Sequence, residues 1–267
     1  MDNSKKILTA LVLGDVCGKP GSRALFMGLG ALKKEFRADV VVLNGENAAN
    51  GFGLNDEQLR QFFDLGVDVV TSGNHIWQQE TLRPTLDKEP RLLRPANYAP
   101  GVPGHGSVVI EAAGCKVAVI NLQGRMSMSP LDCPFRMGAD MVEKLGRQTP
   151  VIIVDFHAEA PHEKEALAFH LDGKVSLVVG THTHVQSADE RILPHGTGYI
   201  TDIGMCGARD SVIGSDPELS IQRQLTQMPL RSEILDAQGW IQGVCCQIDA
   251  ATGKTVRLER IARPYGV

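Results

Sequence analysis

The sequence predicts an α/β protein in which two sheets pack together with helices outside. Three observations carry that expectation. Short runs rich in Val and Ile, apolar on both faces, recur through the first two thirds of the chain, as strands covered on both sides require. Helical or loop stretches separate these runs, the alternation of an α/β class. The last third turns to strand-like segments with few helices between them.

Each element has its own justification. Residues 7–13 form the first apolar run, which ends at Gly14-Asp15 rather than at a small-residue cleavage site. It reads as a buried strand and not as a signal peptide. A helix over residues 23–36 leads to a strand at 40–43. A second helix, about residues 56–65, starts at Asn55 with Gln58 three positions on, a capping-box pair. It leads to a strand at 67–70. The stretch from Arg94 to Gly106, dense in Pro and Gly, is a loop rather than a linker because strand-like sequence resumes on both sides. Strands follow at 117–120, 151–154 and 175–179, with a helix over 163–170 between the last two. Residues 196–201, 240–248 and 255–261 are the late strands. With no internal repeat and no low-complexity segment, residues 1–267 are expected to form a single domain.

Composition removes several function classes. With 27 Lys and Arg against 31 Asp and Glu, the net charge is -4 and no dense basic run is present. Binding to duplex nucleic acid or to an anionic membrane is therefore not expected. No segment approaches the roughly 18 apolar residues of a membrane span. The six cysteines contain no C-x-x-C pair, and Cys245 and Cys246 are adjacent; reduced thiols in a cytoplasmic protein follow. Self-association stays open.

The chemistry sits just after the strands. The first run ends in Gly14-Asp15-Val16-Cys17, the second in Asn44-Gly45-Glu46-Asn47 and the third in Ser72-Gly73-Asn74-His75. Residues 151–154 run into Asp155-Phe156-His157, and 175–179 into Gly180-Thr181-His182-Thr183-His184. Ligands of open α/β sheets bind at that edge. Any one of these turns is commonplace, since a lone Asp there usually caps a helix. Together they place four of eight histidines directly after buried strands. In His182-Thr183-His184, alternation along an extended segment is expected to set both imidazoles on one side.

These motifs, with Thr201-Asp202-Ile203-Gly204-Met205 and Asp210-Ser211-Val212-Ile213-Gly214, resemble the bacterial YmdB-like branch of the calcineurin-like metallophosphoesterase superfamily over nearly the whole chain. The resemblance implies a four-layer α/β/β/α sandwich of two packed mixed sheets flanked by helices. It implies phosphodiesterase activity on 2',3'-cyclic nucleotides. It also implies one metal held by Asp15, Glu46, Asn47 and His184, and a second held by Glu46, Asn74, His157 and His182. Two positions depart from the wider superfamily: Cys17 stands where its first motif has His, and Gly45-Glu46-Asn47 where its second has Gly-Asp-x-x-Asp. Asn47 is expected to make up the ligand count, with no thiolate at Cys17.

Carboxylate, amide and imidazole donors suit iron or manganese, with zinc also compatible. Two metals about 3.5–4 Å apart lower the pKa of a shared water, and the resulting hydroxide attacks phosphorus in line. His75 follows a ligand and is not needed for coordination, so it is the expected catalytic residue, contacting the phosphate or protonating the leaving oxygen. Two divalent ions, Asp15, Glu46 and one hydroxide sum to about +1, which a phosphodiester monoanion neutralises better than a monoester dianion. The alternatives are a phosphomonoesterase (a nucleotidase or phosphoprotein phosphatase) and a nucleotide-sensing protein with vestigial activity. Elsewhere, His105, His162 and His170 read as surface, and His195 as a turn near the site loop. Asp155 is expected to face away from the metals, Asp202 to support the site, Met126 and Met128 to pack in the core, and Trp77 to be buried.

Overall fold

The computed structural model of the chain describes residues 6–265; the first five residues and the last two lie outside it. The first half contains β1 (Ile7–Leu13), β2 (Asp15–Val16), α1 (Gly18–Phe36), β3 (Val40–Asn44), α2 (Asp56–Asp64), β4 (Val69–Thr71), α3 (Arg83–Leu86), β5 (Ser107–Ala112) and β6 (Cys115–Gln123). The second contains α4 (Pro134–Gly146), β7 (Ile152–His157), α5 (Pro161–Leu171), β8 (Leu177–Thr181), β9 (Arg191–Ile192) and β10 (Gly198–Ile200). After these come β11 (Met205–Ala208), α6 (Pro217–Thr226), β12 (Gly239–Asp249) and β13 (Thr255–Tyr265).

Two mixed sheets result. The first runs β2-β11-β12-β1-β3-β4, with β13 along the other edge of β12. The second runs β5-β6-β7-β8-β10-β9. Alternation along the strands sorts the core into layers. On β1, Leu8, Ala10 and Val12 pack between the sheets with Val119, Ile153 and Val179. Leu11 and Leu13 point the other way, toward Leu25 and Leu29 of α1 and Phe62 of α2. The outer face of the second sheet, with Ile120, Val154 and Tyr199, packs on Val142 of α4 and Leu167 and Leu171 of α5. Helix, sheet, sheet, helix is the four-layer sandwich that the resemblance implies.

Several boundaries and elements differ from expectation. Helix α1 starts at Gly18, five residues early, because Pro20 lies in its first turn, where a missing N–H costs nothing. Helices α4 and α6 and strand β11 were not expected, although α4 and α6 each begin at a proline. The stretch 94–106 is a loop, anchored by buried Asn97, whose side-chain amide donates to the carbonyls of Gln123 and Asp132. Strand β13 continues through Pro264, which an edge strand tolerates.

Candidate metal centre

Strands β1, β3, β4, β7 and β8 all end at one edge of the sandwich, and parallel pairing of β1 with β3, β3 with β4 and β7 with β8 keeps those ends together. Asp15, Glu46, Asn47, Asn74 and His75 arrive from the first sheet. His157, His182 and His184 arrive from the second. The motif glycines let the backbone close in. A Cβ on Gly73 would lie 2.1 Å from the His157 ring, and one on Gly14 would lie 2.0 Å from the Gly204 carbonyl oxygen, so neither position admits a side chain.

The hydrogen-bond pattern orients the two rings. Thr181 Oγ1 donates to Asp155 Oδ1 at 2.8 Å and therefore accepts from His157 Nδ1 at 3.0 Å, which leaves His157 Nε2 without hydrogen. His182 Nε2 makes an ion-pair contact with Glu159 Oε2 at 3.1 Å. His182 Nδ1 faces His157 Nε2 at 3.1 Å, with Asn74 Oδ1 3.2 Å from the same nitrogen. Glu46 Oε1 stands 3.6 Å from it. Nitrogen and oxygen donors grouped in this way suit a cation. Metal bonds of about 2.0–2.2 Å place neighbouring donors about 3–3.5 Å apart, close to these separations. Burial holds His157 well below the ordinary imidazole value and lowers His182, which keeps both rings neutral as ligands must be.

A second group stands beside it. His184 Nδ1 donates to the Ile213 carbonyl at 2.8 Å, turning Nε2 toward Asp15 Oδ1 at 3.7 Å. That is an ion-pair contact rather than a hydrogen bond, and Asp15 Oδ1 is buried with no hydrogen-bond partner. Burial works to raise Asp15, but His184 and His157 outweigh it and hold the carboxyl well below its usual range. Burial opposes the charged form of His184 too; Asp15 overcomes it and raises the group. Glu46 lies between the groups, accepting from the Gly73 and His75 amides. Burial, with Asp15 and Asp155 nearby, pushes Glu46 well above the ordinary carboxyl value; a cation beside it would favour its charged form. Among the described residues no three His, Cys, Asp or Glu donors form a metal-holding group alone. The carboxamides of Asn74 and Asn47 stand beside these groups as further oxygen donors. Asn47 Nδ2 faces His184 Nε2 at 2.9 Å and its Oδ1 faces His75 Nδ1 at 2.7 Å, so coordination through Oδ1 requires the amide turned by half a rotation.

The backbone at the two histidines departs from the extended segment expected. His182 has φ 99° and His184 φ 63°, so a left-handed turn, and not strand alternation, aims the rings. Asp15 Oδ2 accepts from the His182 amide at 3.2 Å, and Asp202 Oδ2 accepts from the Thr183 amide and hydroxyl at 3.1 and 2.8 Å. Asp202 also pairs with buried Lys164 at 2.7 Å, the supporting role the sequence assigns it.

His75 sits at the wall of a cavity of about 300 Å³, also lined by Phe52, Glu159, His182, His184 and Ile213. Its ring meets Phe52 edge-on at 5.2 Å, and burial lowers its pKa. Thr181 and Ile213 lie within the motifs but had no role assigned, and Phe52 and Glu159 lie outside them; the position of Glu159 two residues past His157 is the signal that could have found it. Asp155, expected to face away from the metals, instead shares the inter-sheet face of β7 with His157, where it accepts from Asn44, Thr71 and Thr181 and orients His157 through Thr181. Burial raises the Cys17 thiol to about 12, against a thiolate ligand there. His105, His162 and His170 are exposed, and Trp77 is half-buried rather than buried, packing edge-on against Tyr98. His195 instead borders a separate cavity with Gly146 and Lys174, beside Asp172 at 2.9 Å. Met126 is 46% exposed rather than in the core, and its sulfur lies against His162.

Comparison with known proteins agrees with this picture. A model of the YmdB-like protein family matches residues 11–261. A Bacillus subtilis protein named 2',3'-cyclic-nucleotide 2'-phosphodiesterase is 44% identical over 251 residues, 94% of this chain and 95% of that one. The crystal structure of a Mycoplasma pneumoniae protein named a novel phosphatase superposes with a TM-score of 0.92 at 35% identity, covering 97% of this chain and 94% of that one. A hypothetical protein from Thermus thermophilus gives 0.89 at 36% identity, over 97% of this chain and all of that one. The chain belongs to the YmdB-like protein family.

Proposed function

We propose that the chain is a dinuclear metal-dependent phosphodiesterase that opens the 2',3'-cyclic phosphate of small nucleotides. The observation that carries this is the close facing of His157 Nε2 and His182 Nδ1 beside Asn74, next to a buried, unpartnered Asp15 oxygen. In this reading Asp15, Glu46, Asn47 and His184 hold one metal, Glu46, Asn74, His157 and His182 the other, and Glu46 belongs to both. Iron or manganese suits these donors, with zinc also compatible. Bound there, the metals supply water activated near neutral pH and neutralise the phosphate oxygens.

The chain's own residues position and protonate. His75 enters neutral, and a phosphate anion beside it favours its second proton. From the cavity wall it donates that proton to the leaving oxygen. Carrying over the bond named for the B. subtilis relative, the leaving oxygen is O2' and the product a 3'-phosphate. Phe52 fixes the His75 ring from the side. Six free cysteines fit a cytoplasmic setting, and the ligands drawn from both sheets make residues 1–267 one working domain.

The test measures metal content and hydrolysis of 2',3'-cyclic AMP for the wild type, His182→Ala and His75→Ala. We expect close to two metals per chain in the wild type and fewer in His182→Ala. His75→Ala should keep its metals and lose about 10²–10⁴-fold in kcat. Two metals with p-nitrophenyl phosphate turned over faster than its bis-ester would replace the diesterase by a monoesterase, an activity within the name of the M. pneumoniae phosphatase. No bound metal under any loading condition would sink the proposal.

A further inference from the structure

Next to the central cavity lies a second one of about 460 Å³, whose lining includes Arg209, Trp240, Gln242 and Arg260. His184 and Ile213 border both cavities, whereas His75 and Phe52 border only the central one. The groove has a clear origin in the fold. On β12, Val244, Cys246 and Ile248 are buried between the sheets. Trp240 and Gln242 share their face by alternation, yet both are only half-buried. The inward face of the first sheet therefore emerges from under the second and forms a floor that starts at the metal centre.

We infer that this groove takes the 5' continuation of the substrate: the protein acts on single-stranded oligoribonucleotides ending in a 2',3'-cyclic phosphate, and not on mononucleotides alone. The inference rests on the diesterase reading above and extends it. Ribose geometry supplies the direction. The base hangs from C1', next to C2', and the 5' carbon from C4', next to C3'. With the cyclic phosphate on the metal centre, base and chain therefore leave on opposite sides. In the reaction, the oxygen of one water bonds to phosphorus, the P–O2' bond breaks, and its electron pair takes a proton from His75. The proton lost by the water restores His75, so one water is consumed overall. O2' must then lie on the His75 side, which carries the base toward Phe52, 45% exposed there. The 3' side, and every nucleotide upstream, points past His184 and Ile213 into the groove.

The groove's chemistry fits such a chain. Arg209 lies over the Trp240 ring, 4.3 Å from guanidinium carbon to centroid, and among the described residues it makes no ion pair. Arg260 is held by Glu190 at 2.8 Å, so Arg209 is the groove cation left available to a phosphate. A guanidinium plane backed by an aromatic ring both stacks a base and pairs with the backbone, the combination that single-stranded nucleic acids use. The overall charge of -4 is no obstacle, because one cation beside a dinuclear site serves a short strand. The reaction class that supplies this substrate is RNA cleavage by attack of a 2'-hydroxyl on its own phosphodiester, which leaves a 2',3'-cyclic end.

The experiment compares kcat/KM for 2',3'-cyclic AMP and for an adenosine tetranucleotide ending in a 2',3'-cyclic phosphate, using the metal-loaded wild type, Arg209→Glu and Arg209→Gln. We expect the tetranucleotide to be favoured about tenfold or more, the scale of one stacked base, with a gain that shrinks as salt rises. Arg209→Glu should abolish the gain, and Arg209→Gln reduce it, while both turn over 2',3'-cyclic AMP within about twofold of wild type. Equal kcat/KM for the two substrates, or equal losses on both in the variants, would overturn this inference and leave the diesterase reading intact. Absence of turnover on either substrate would overturn both.

Discussion

Thr181 shows how one hydroxyl can orient a proposed metal ligand. It sits opposite His157 in the parallel register of β7 and β8 and can accept from His157 Nδ1 only because its own proton goes to Asp155. Asp155 in turn takes bonds from Asn44 at 2.9 Å and Thr71 at 2.5 Å, so both sheets hold it. Replacing Thr181 by Val keeps the shape and removes the relay. His157 loses the bond that points Nε2 at its neighbours, and metal affinity should fall about 10–100-fold. Competition titration with a chelator reads this directly; an unchanged affinity in a folded Thr181→Val protein would refute the role. A second residue-scale device is the left-handed backbone at His182 and His184, a conformation costing of order 1–3 kcal/mol per residue. Bonds from Asp15 and Asp202 to the amides of His182 and Thr183 hold it in place.

At the scale of elements, the strongest local signal is the start of α2. Asn55 accepts from the Gln58 amide at 2.9 Å and the Gln58 side chain accepts from the Asn55 amide at 3.3 Å, the reciprocal pair the sequence predicts. Gln58 also donates to the Ala48 carbonyl at 2.8 Å, tying the helix to the turn that carries Glu46 and Asn47. Asn55→Ala should therefore cost about 1 kcal/mol or more, measured as a lower urea midpoint at unchanged slope; no shift would show the cap to be redundant. Such elements were legible because their signals are local. The buried strands and the polar residues gathered after them were legible for the same reason: β1, β3, β7 and β8 are short apolar runs that stop at a polar residue. Other elements had weaker local signals that the strand pattern overshadowed. Helix α6 buries no residue and so has no apolar stripe, only its Asp216 cap and Pro217 start. In α4 the buried line Pro134, Gly138, Val142 and Leu145 includes a glycine, which dilutes its apolar stripe. The turn at His182 and His184 depends on Asp15 and Asp202, one of them 167 positions away, and no window of sequence contains that bond. Phe52 and Arg209 acquire meaning only once the strand ends are in one place.

Across the whole molecule, the candidate centre is where the two sheets meet without apolar contacts. The layer between them is closed by Val and Ile over most of its area, but at the strand ends it is closed by carboxylates, amides and imidazoles. Asp15, Glu46 and Asp155 are each no more than 1% exposed, and their mutual repulsion helps to raise Glu46 and Asp155, the latter to about 7 behind burial as the larger cause. Each proposed metal takes donors from both sheets: Asp15, Glu46, Asn47 and Asn74 on one side, His157, His182 and His184 on the other. Metal binding should therefore clamp the sandwich as well as supply chemistry. A ligand present at a hundred times its Kd stabilises the folded state by about 2.7 kcal/mol. For a protein of this size about 2–4 °C of Tm follows each kcal/mol, so chelation should lower Tm by on the order of 5–10 °C. The sign is fixed, since the metals bind the folded chain and the unfolded chain does not hold the donors together. His182→Ala, lacking one donor, should start with a lower Tm in metal and lose less of it to the chelator. Calorimetry of both proteins with and without chelator decides the matter. Equal losses would place the ion that clamps the sheets away from His182, whereas no loss in the stripped wild type would mean that the interlayer core alone holds the sheets together.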